Sequence, residues 1–315
     1  MKKLLAILVI MSFILTGCSQ DVEKNINTEE MQSRTGGEIK DIPKDENKET
    51  VKESGENKED IKASGEIQKE EEIKTEIIQT STSTLSNQKC AWGFRRMKEN
   101  KQPEFSSVFT KPLDEYNGIY VGNKDEKVIY LTFDEGYENG YTAEILDTLK
   151  EKEVPAIFFV TMPYVKQNKE LVQRMIDEGH IVGNHTVNHP SMPEVLDDEK
   201  VRKEVMDLHD YVKENFNYEM TFIRPPKGEY SERTVKICRD LGYTTVLWSA
   251  AYDDWDVKKQ DRLDYARSMI YNNLHNGSVM LLHAVSKDNT KLLPEVIDKI
   301  REDGYELCSL DEFVY

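Results

Sequence analysis

Cysteine is scarce. The 315 residues hold four, too few and too scattered for a disulfide framework. Cys18 lies near the N-terminus, and Cys90, Cys238 and Cys308 allow one pair at most. Cys238 in a helical pattern and Cys308 in a strand pattern read as small buried hydrophobes. Basic charge is also in deficit: Lys+Arg 42 stands against Asp+Glu 59, for a net charge of -17. A protein held by phosphate contacts concentrates Lys and Arg, so nucleic acid is excluded as a partner. No apolar run reaches the roughly 20 residues of a comfortable membrane span. The longest, Leu4 to Leu15, follows Lys2 and Lys3 in the manner of an export signal. Aromatic residues are missing altogether between Ser19 and Gln88.

That last absence divides the chain into two different polymers. Residues 19–88 are Glu, Lys, Ser, Thr, Asn and Ile with a net charge of -8, and they cannot bury enough apolar surface to offset chain entropy. They are expected to form a disordered tether spanning on the order of 50 Å root-mean-square. The leader closes with Leu15-Thr16-Gly17-Cys18, which resembles the bacterial lipobox. The resemblance implies a signal peptide over residues 1–17 and a lipidated, charged linker over 18–88. Acyl chains on Cys18, at about 0.8 kcal/mol per buried methylene, are expected to anchor the protein in the outer face of the cytoplasmic membrane, facing the cell wall.

With Lys2 and Lys3 adding +2 in the leader, residues 89–315 carry -11, and they have the size of one α/β domain. Seven apolar runs read as buried strands: 128–133, 156–160, 180–185, 222–224, 244–249, 278–283 and 305–309. Helix-spaced segments lie between them at 142–151, 169–178, 197–215, 231–241, 260–276 and 291–303. Gly179, Gly242, Gly277 and Gly304 stand where helices should stop. Strand and helix alternate without strand pairs, which argues a parallel sheet with right-handed crossovers. Seven repeats in so short a span predict a distorted parallel (β/α)7 barrel over residues 125–315, with residues 89–124 packed on it as an extension.

Catalytic groups of parallel barrels sit at the carboxyl ends of the strands. Asp134 and Glu135 follow the first strand, His185 ends the third with His189 four residues on, and Arg224 ends the fourth. Asp253 and Asp254 follow the fifth, and His283 ends the sixth. Five strands thus deliver ionisable groups to one rim. His180, which opens a strand, and His209 and His275, on expected helices, read as structural. A carboxylate with His-x-x-x-His suits an open divalent-metal site with a position left for water. A second carboxylate as base and a distant histidine as acid complete the equipment for hydrolysing an amide or ester.

These residues stand in strings that resemble the motifs of the polysaccharide deacetylases, carbohydrate esterase family 4, across residues 125–315. The strings are Thr132-Phe133-Asp134-Glu135-Gly136, His185-Thr186-Val187-Asn188-His189, Arg224-Pro225-Pro226-Lys227-Gly228 and Leu281-Leu282-His283. Within the family, Trp92-Gly93-Phe94, the run from Asp134 to Thr142, the run from Glu178 to His185, Ser286-Lys287-Asp288-Asn289 and Ser309-Leu310-Asp311 look most like the N-acetylmuramic acid deacetylases of muramic δ-lactam synthesis in the spore cortex.

The resemblance implies that Asp134 is the base, that Glu135, His185 and His189 hold a divalent metal, commonly zinc, and that His283 is the acid. It further implies that Arg224 orients Asp134, while Trp255 and Leu281 wall the sugar beside Asp254. Glu135 stands where most of the family has aspartate, and either direct ligation or an outer-sphere role is open to it. Ala251 occupies the place of an aspartate that tunes the acid histidine, a duty left to Asp253 or Asp254. Lys227 replaces a tyrosine and could meet the lactyl carboxylate of muramic acid. The partner is peptidoglycan glycan, with no obligate protein partner inferred. Deacetylation of N-acetylglucosamine, removal of O-acetyl groups and glycan binding without turnover are the alternatives.

Overall fold

The computed structural model describes residues 84–313. The export signal, Cys18 and nearly all of the 18–88 linker lie outside them. In chain order the elements are β1 (Cys90–Ala91), β2 (Phe94–Arg95), β3 (Glu104–Phe105), α1 (Ser107–Glu115), β4 (Val128–Glu135), α2 (Thr142–Glu151), β5 (Ile157–Val160), α3 (Met162–Gln167) and α4 (Lys169–Asp177). They continue with β6 (Ile181–Asn184), α5 (Asp198–Phe216), β7 (Phe222–Ile223), β8 (Glu229–Tyr230), α6 (Glu232–Asp240), β9 (Thr244–Thr245), α7 (Leu263–Tyr271), β10 (Ser278–His283), α8 (Lys287–Glu302) and β11 (Glu306–Leu307).

The seven expected strands form one parallel sheet in the order β10-β4-β5-β6-β7-β9, with β11 also on β4. It curves into a half-barrel. An isolated parallel bridge from Ala250 to Met280 brings the chain beyond β9 against β10. Lower in the same seam Ile119 is inserted, donating to the Thr245 carbonyl at 2.8 Å and accepting from Leu247 N at 2.7 Å. Gly122 N donates to Gly277 O at 2.7 Å, and a Cβ on Gly277 would stand 2.4 Å from the Gly122 carbonyl carbon. Only glycine fits there.

Alternation along β4 sorts its side chains between two layers. Phe133 joins the core under the helices, stacked on Phe158 at 5.1 Å between ring centroids. Tyr130 joins the barrel-side cluster with Phe159 and Val279. Asp134 shares the parity of Tyr130 and Thr132; Glu135 shares that of Phe133. Parallel register then sets the rim, with His283 opposite Asp134 and Asn184 opposite Val160 and Ile223.

Several elements differ from the sequence expectation. Two antiparallel pairs occur, β1 with β8 and β2 with β3, because two-residue edge strands carry no periodic signal. The run 244–249 is a strand for two residues only, since beyond Thr245 it changes partners from β7 to Ile119 and then β10. The helix expected at 260–276 is shortened to Leu263–Tyr271, with Asp261 left-handed at φ 61° and His275 beyond its end. The helix expected from residue 291 starts at Lys287, because the Ser286 side chain accepts from Asn289 N and caps it early. α1 and α3 are additional. Cys90, Cys238 and Cys308 are all free thiols. Among the described residues no helix is long and apolar enough to cross a membrane.

Candidate active site

Asp134, His189, Lys227, Trp255, Leu281 and His283 line a single cavity of about 550 Å³ at the carboxyl ends of the strands. Asp134 is 8% exposed and Arg224 fully buried. Arg224 Nη1 donates to Asp134 Oδ1 at 2.7 Å, and Nη2 donates to Thr132 Oγ1 at 2.9 Å. The guanidinium also lies 4.2 Å from the Phe159 ring centroid, which fixes its plane. Burial opposes ionisation of Asp134, but Arg224, followed by His185 and His283, more than offsets it and lowers the Asp134 pKa.

The histidine turn is held from behind. Asn184 accepts from Thr186 N at 2.8 Å while its amide donates to Val205 O at 2.8 Å. Glu204 on α5 accepts from Asn188 N at 2.8 Å. Thr186 and His189 sit at φ 70° and 55°, strain that these anchors sustain. His185 Nδ1 lies 2.8 Å from the carbonyl oxygen of Arg224, which can only accept, so this nitrogen carries the proton. Burial drives the His185 pKa down to about 4, so the ring is neutral at pH 7. Its Nε2 therefore presents a lone pair. That lone pair faces His189 Nε2 at 3.1 Å, with Asp134 Oδ2 3.6 Å away. Two imidazole nitrogens beside a carboxylate fit a divalent ion chemically.

Glu135 does not join them. It is fully buried on the opposite face of β4, where its Oε1 lies 3.3 Å from Thr142 Oγ1. Glu138 accepts from Thr142 Oγ1, and from the amide of Tyr141 at 2.8 Å at the start of α2. Burial, reinforced by Glu138, pushes the Glu135 carboxyl well above the usual carboxylate range. Of the two roles open to Glu135, direct ligation beside His185 and His189 is not the arrangement seen. Glu135→Gln, which preserves the Thr142 contact, is expected to keep metal content and turnover within about threefold, while His185→Ala loses bound metal. Elemental analysis of both purified variants checks this, and loss of metal from the glutamine variant would restore the original ligand set.

Asp254, expected either on the sugar wall or, with Asp253, as a candidate partner of the acid histidine, is 2% exposed, outside the cavity lining and turned to His283. Its Oδ1 meets His283 Nδ1 at 2.8 Å, and its Oδ2 accepts from His283 N at 2.8 Å and from the Asn289 amide. Burial disfavours the imidazolium, but Asp254, with Asp134 beyond it, outweighs burial and raises the His283 pKa. Asp253 instead pairs with Tyr265 and Lys259. Lys227 occupies a left-handed turn at φ 61°, followed by Gly228, where a Cβ would meet Trp248 at 2.8 Å. Tyr137, Trp248 and Tyr252 also line the cavity and were not anticipated; Tyr137 and Tyr252 stand just beyond expected strand ends, whereas Trp248 falls inside the run read as a strand.

His180, His209 and His275 lie outside the cavity lining. His209 Nδ1 is 2.7 Å from the Tyr243 hydroxyl, and His180 packs edge-on against Phe158.

A polysaccharide deacetylase family model matches residues 121–246. The peptidoglycan-N-acetylmuramic acid deacetylase PdaA of Bacillus subtilis is 39% identical over 237 residues, 73% of this chain and 88% of that protein. Its solved structure, described as a family 4 carbohydrate esterase, superposes with a TM-score of 0.70, covering 73% of this chain and 98% of that one. A family 4 carbohydrate esterase from Bacillus anthracis, 42% identical, superposes at 0.62 over 73% of this chain and 98% of that one. A peptidoglycan-N-acetylglucosamine deacetylase from Bacillus cereus is 30% identical over 195 residues, 60% of this chain and 89% of that protein. This chain belongs to the polysaccharide deacetylase family, carbohydrate esterase family 4.

Proposed function

We propose that the protein hydrolyses the N-acetyl group of N-acetylmuramic acid in peptidoglycan, a step towards the muramic δ-lactam of spore cortex. The observation that carries this reading is a base and an acid in one cavity, each tuned by its own partner: Asp134 by Arg224 and His283 by Asp254. Asp134, ionised, takes a proton from the attacking water. His283, protonated, gives one to the departing amine, so water and acetamide become acetate and a free amino sugar. His185 and His189 would hold a divalent ion, zinc by the family resemblance, which when bound acidifies water and polarises the acetyl carbonyl. Leu281 and Trp255 offer apolar surface for the acetyl methyl and the sugar ring.

Muramic acid bears a lactyl carboxylate that N-acetylglucosamine lacks, and Lys227 on the cavity wall supplies the cation to meet it. A charged hydrogen bond of about 1.5 kcal/mol corresponds to roughly tenfold in rate. Full-chain enzyme is therefore expected to release acetate from denuded glycan with deacetylated muramic acid as the product seen by mass spectrometry, and Lys227→Tyr is expected to slow it about tenfold. Equal rates would remove Lys227 from the reading. The B. cereus relative supports a second reading, deacetylation of N-acetylglucosamine; glucosamine as the product sugar would establish it instead. The Lys2-Lys3 leader and Leu15-Thr16-Gly17-Cys18 support a lipid-anchored position on the outer face of the cytoplasmic membrane.

A further inference from the structure

The Trp92-Gly93-Phe94 string takes no part in the proton transfers, yet it ends a strap that ties together two loops of the cavity rim. At the start of the strap Asn87 donates through its amide to the Pro193 carbonyl at 2.9 Å, and its Oδ1 accepts from Ser231 Oγ at 2.9 Å and Arg233 Nε at 3.0 Å. Lys89 pairs with Glu194 at 2.8 Å, on the loop that follows His189. Next, β1 pairs with β8, Cys90 opposite Tyr230 and Ala91 opposite Glu229. Trp92 closes the strap.

Trp92 grips two pieces of the cavity wall at once. Its backbone N donates to the Gly228 carbonyl at 2.9 Å, and its indole Nε1 donates to the Trp248 carbonyl at 2.8 Å. Gly228 is clasped between the two tryptophans: a Cβ there would stand 2.8 Å from the Trp248 ring and 3.0 Å from Trp92 Cβ. The residue before it is Lys227, left-handed at φ 61°. A lysine in that conformation is strained and persists only where its surroundings fix it. Within the turn Gly228 N donates to Pro225 O at 3.0 Å, and the Trp92 clasp adds a hold from outside. The indole is itself backed by Phe105, stacked at 5.4 Å between ring centroids, and by Tyr120 at 5.3 Å. An aromatic platform therefore stands behind the turn that aims Lys227 into the cavity.

We propose that Trp92 is a positioning residue for substrate specificity. It lies outside the cavity lining and acts through Lys227, holding the turn against Trp248 so that the ammonium group meets the lactyl carboxylate of muramic acid. The inference rests on the reading of Lys227 given above. Its consequence is that the segment joining the linker to the domain belongs to the substrate site.

The test compares acetate release by the full-chain protein from two denuded glycans, one with free lactyl carboxylates and one with those carboxylates converted to methylamides. The parent is expected to show a KM about tenfold lower for the free carboxylate. Trp92→Ala is expected to raise that KM about fivefold or more, with kcat, and KM for the amidated glycan, within about twofold of the parent. Trp92→Phe keeps a ring against Phe105 without the indole N–H and is expected to lose about threefold of the preference, which carries the test if the alanine variant does not fold. In a Lys227→Ala background, Trp92→Phe is expected to change the preference no further, because the group it positions is gone. Thermal midpoints show which variants fold. An undiminished preference in the folded variants, or an equal loss on both glycans, overturns the assignment. A parent that does not distinguish the glycans removes the role of Lys227 and that of Trp92 with it. Absence of acetate release sinks the catalytic reading alone: calorimetric titration with the same two glycans, then free of turnover, still judges Trp92.

Discussion

Asp134→Asn is expected to lower acetate release by about 10²–10⁴-fold, the contribution of a positioned general base, while glycan affinity is retained. It also leaves the fully buried Arg224 without its counter-charge. Removing one partner of a buried pair costs about 3–5 kcal/mol, and at roughly 2–4 °C per kcal/mol for a domain this size the melting temperature should fall by about 10 °C. The pH dependence separates the two effects. Because the folded Asp134 pKa is lowered, the parent keeps this contribution above the ordinary carboxylate pKa and loses it only as pH falls through the depressed value. The asparagine variant has no such acid limb from this site. Calorimetry across pH together with acetate assays checks both, and a glycan binder without turnover would show no difference in acetate release because the parent would release none.

The second large effect is expected from Asp254→Asn. His283 is held protonated chiefly by this carboxylate, against its burial. The acid must carry its proton to release the amine, so parent activity persists as pH rises until it passes the raised His283 pKa. Without the carboxylate, burial dominates, the His283 pKa drops, and the alkaline limb of kcat moves to lower pH, with turnover at neutral pH down by about 10²-fold or more. A pH profile of kcat measures the shift directly. An alkaline limb that stays in place would show that some other group protonates the leaving amine. Stability follows the same sign: the contribution from the His283–Asp254 pair is present below the ordinary histidine pKa and is lost as pH rises through the raised value.

Much of this site was legible because parallel strands obey a simple rule. Asp134 and His283 fall at strand ends in neighbouring elements, and the pairing puts them in register. His185 and Arg224 follow β6 and β7 in the same way, so four distant residues converge without any knowledge of side-chain packing. Glu135 shows the rule applied incompletely. Adjacent residues on a strand face opposite ways, so Asp134 and Glu135 could not both point into the barrel while β4 continued through Glu135, and its carboxylate went to Thr142 at the head of α2. Motif resemblance placed it with the histidines; alternation placed it with Phe133.

The two aspartates after β9 show the opposite limit. Asp253 and Asp254 are equivalent in any one-dimensional reading, and nothing local ranks them. A loop held by Arg262 N on Asp288 and by the Asn289 amide on Asp254 turns one inward to His283 and leaves the other to Tyr265 and Lys259. The early start of α8 at its Ser286 cap belongs to the same arrangement, because it brings Asn289 under Asp254.

By itself the sequence determined the polar first segment, the parallel α/β sheet and the rim on which Asp134, His185, Arg224 and His283 gather, because composition and hydrophobic period are local properties that survive folding unchanged. Tertiary packing chose which carboxylate serves His283 and drew Phe94, Trp255 and Tyr265 around one groove. The first depends on a loop path that joins residues 29 positions apart, and the second on segments more than 150 positions apart, where no short-range pattern acts.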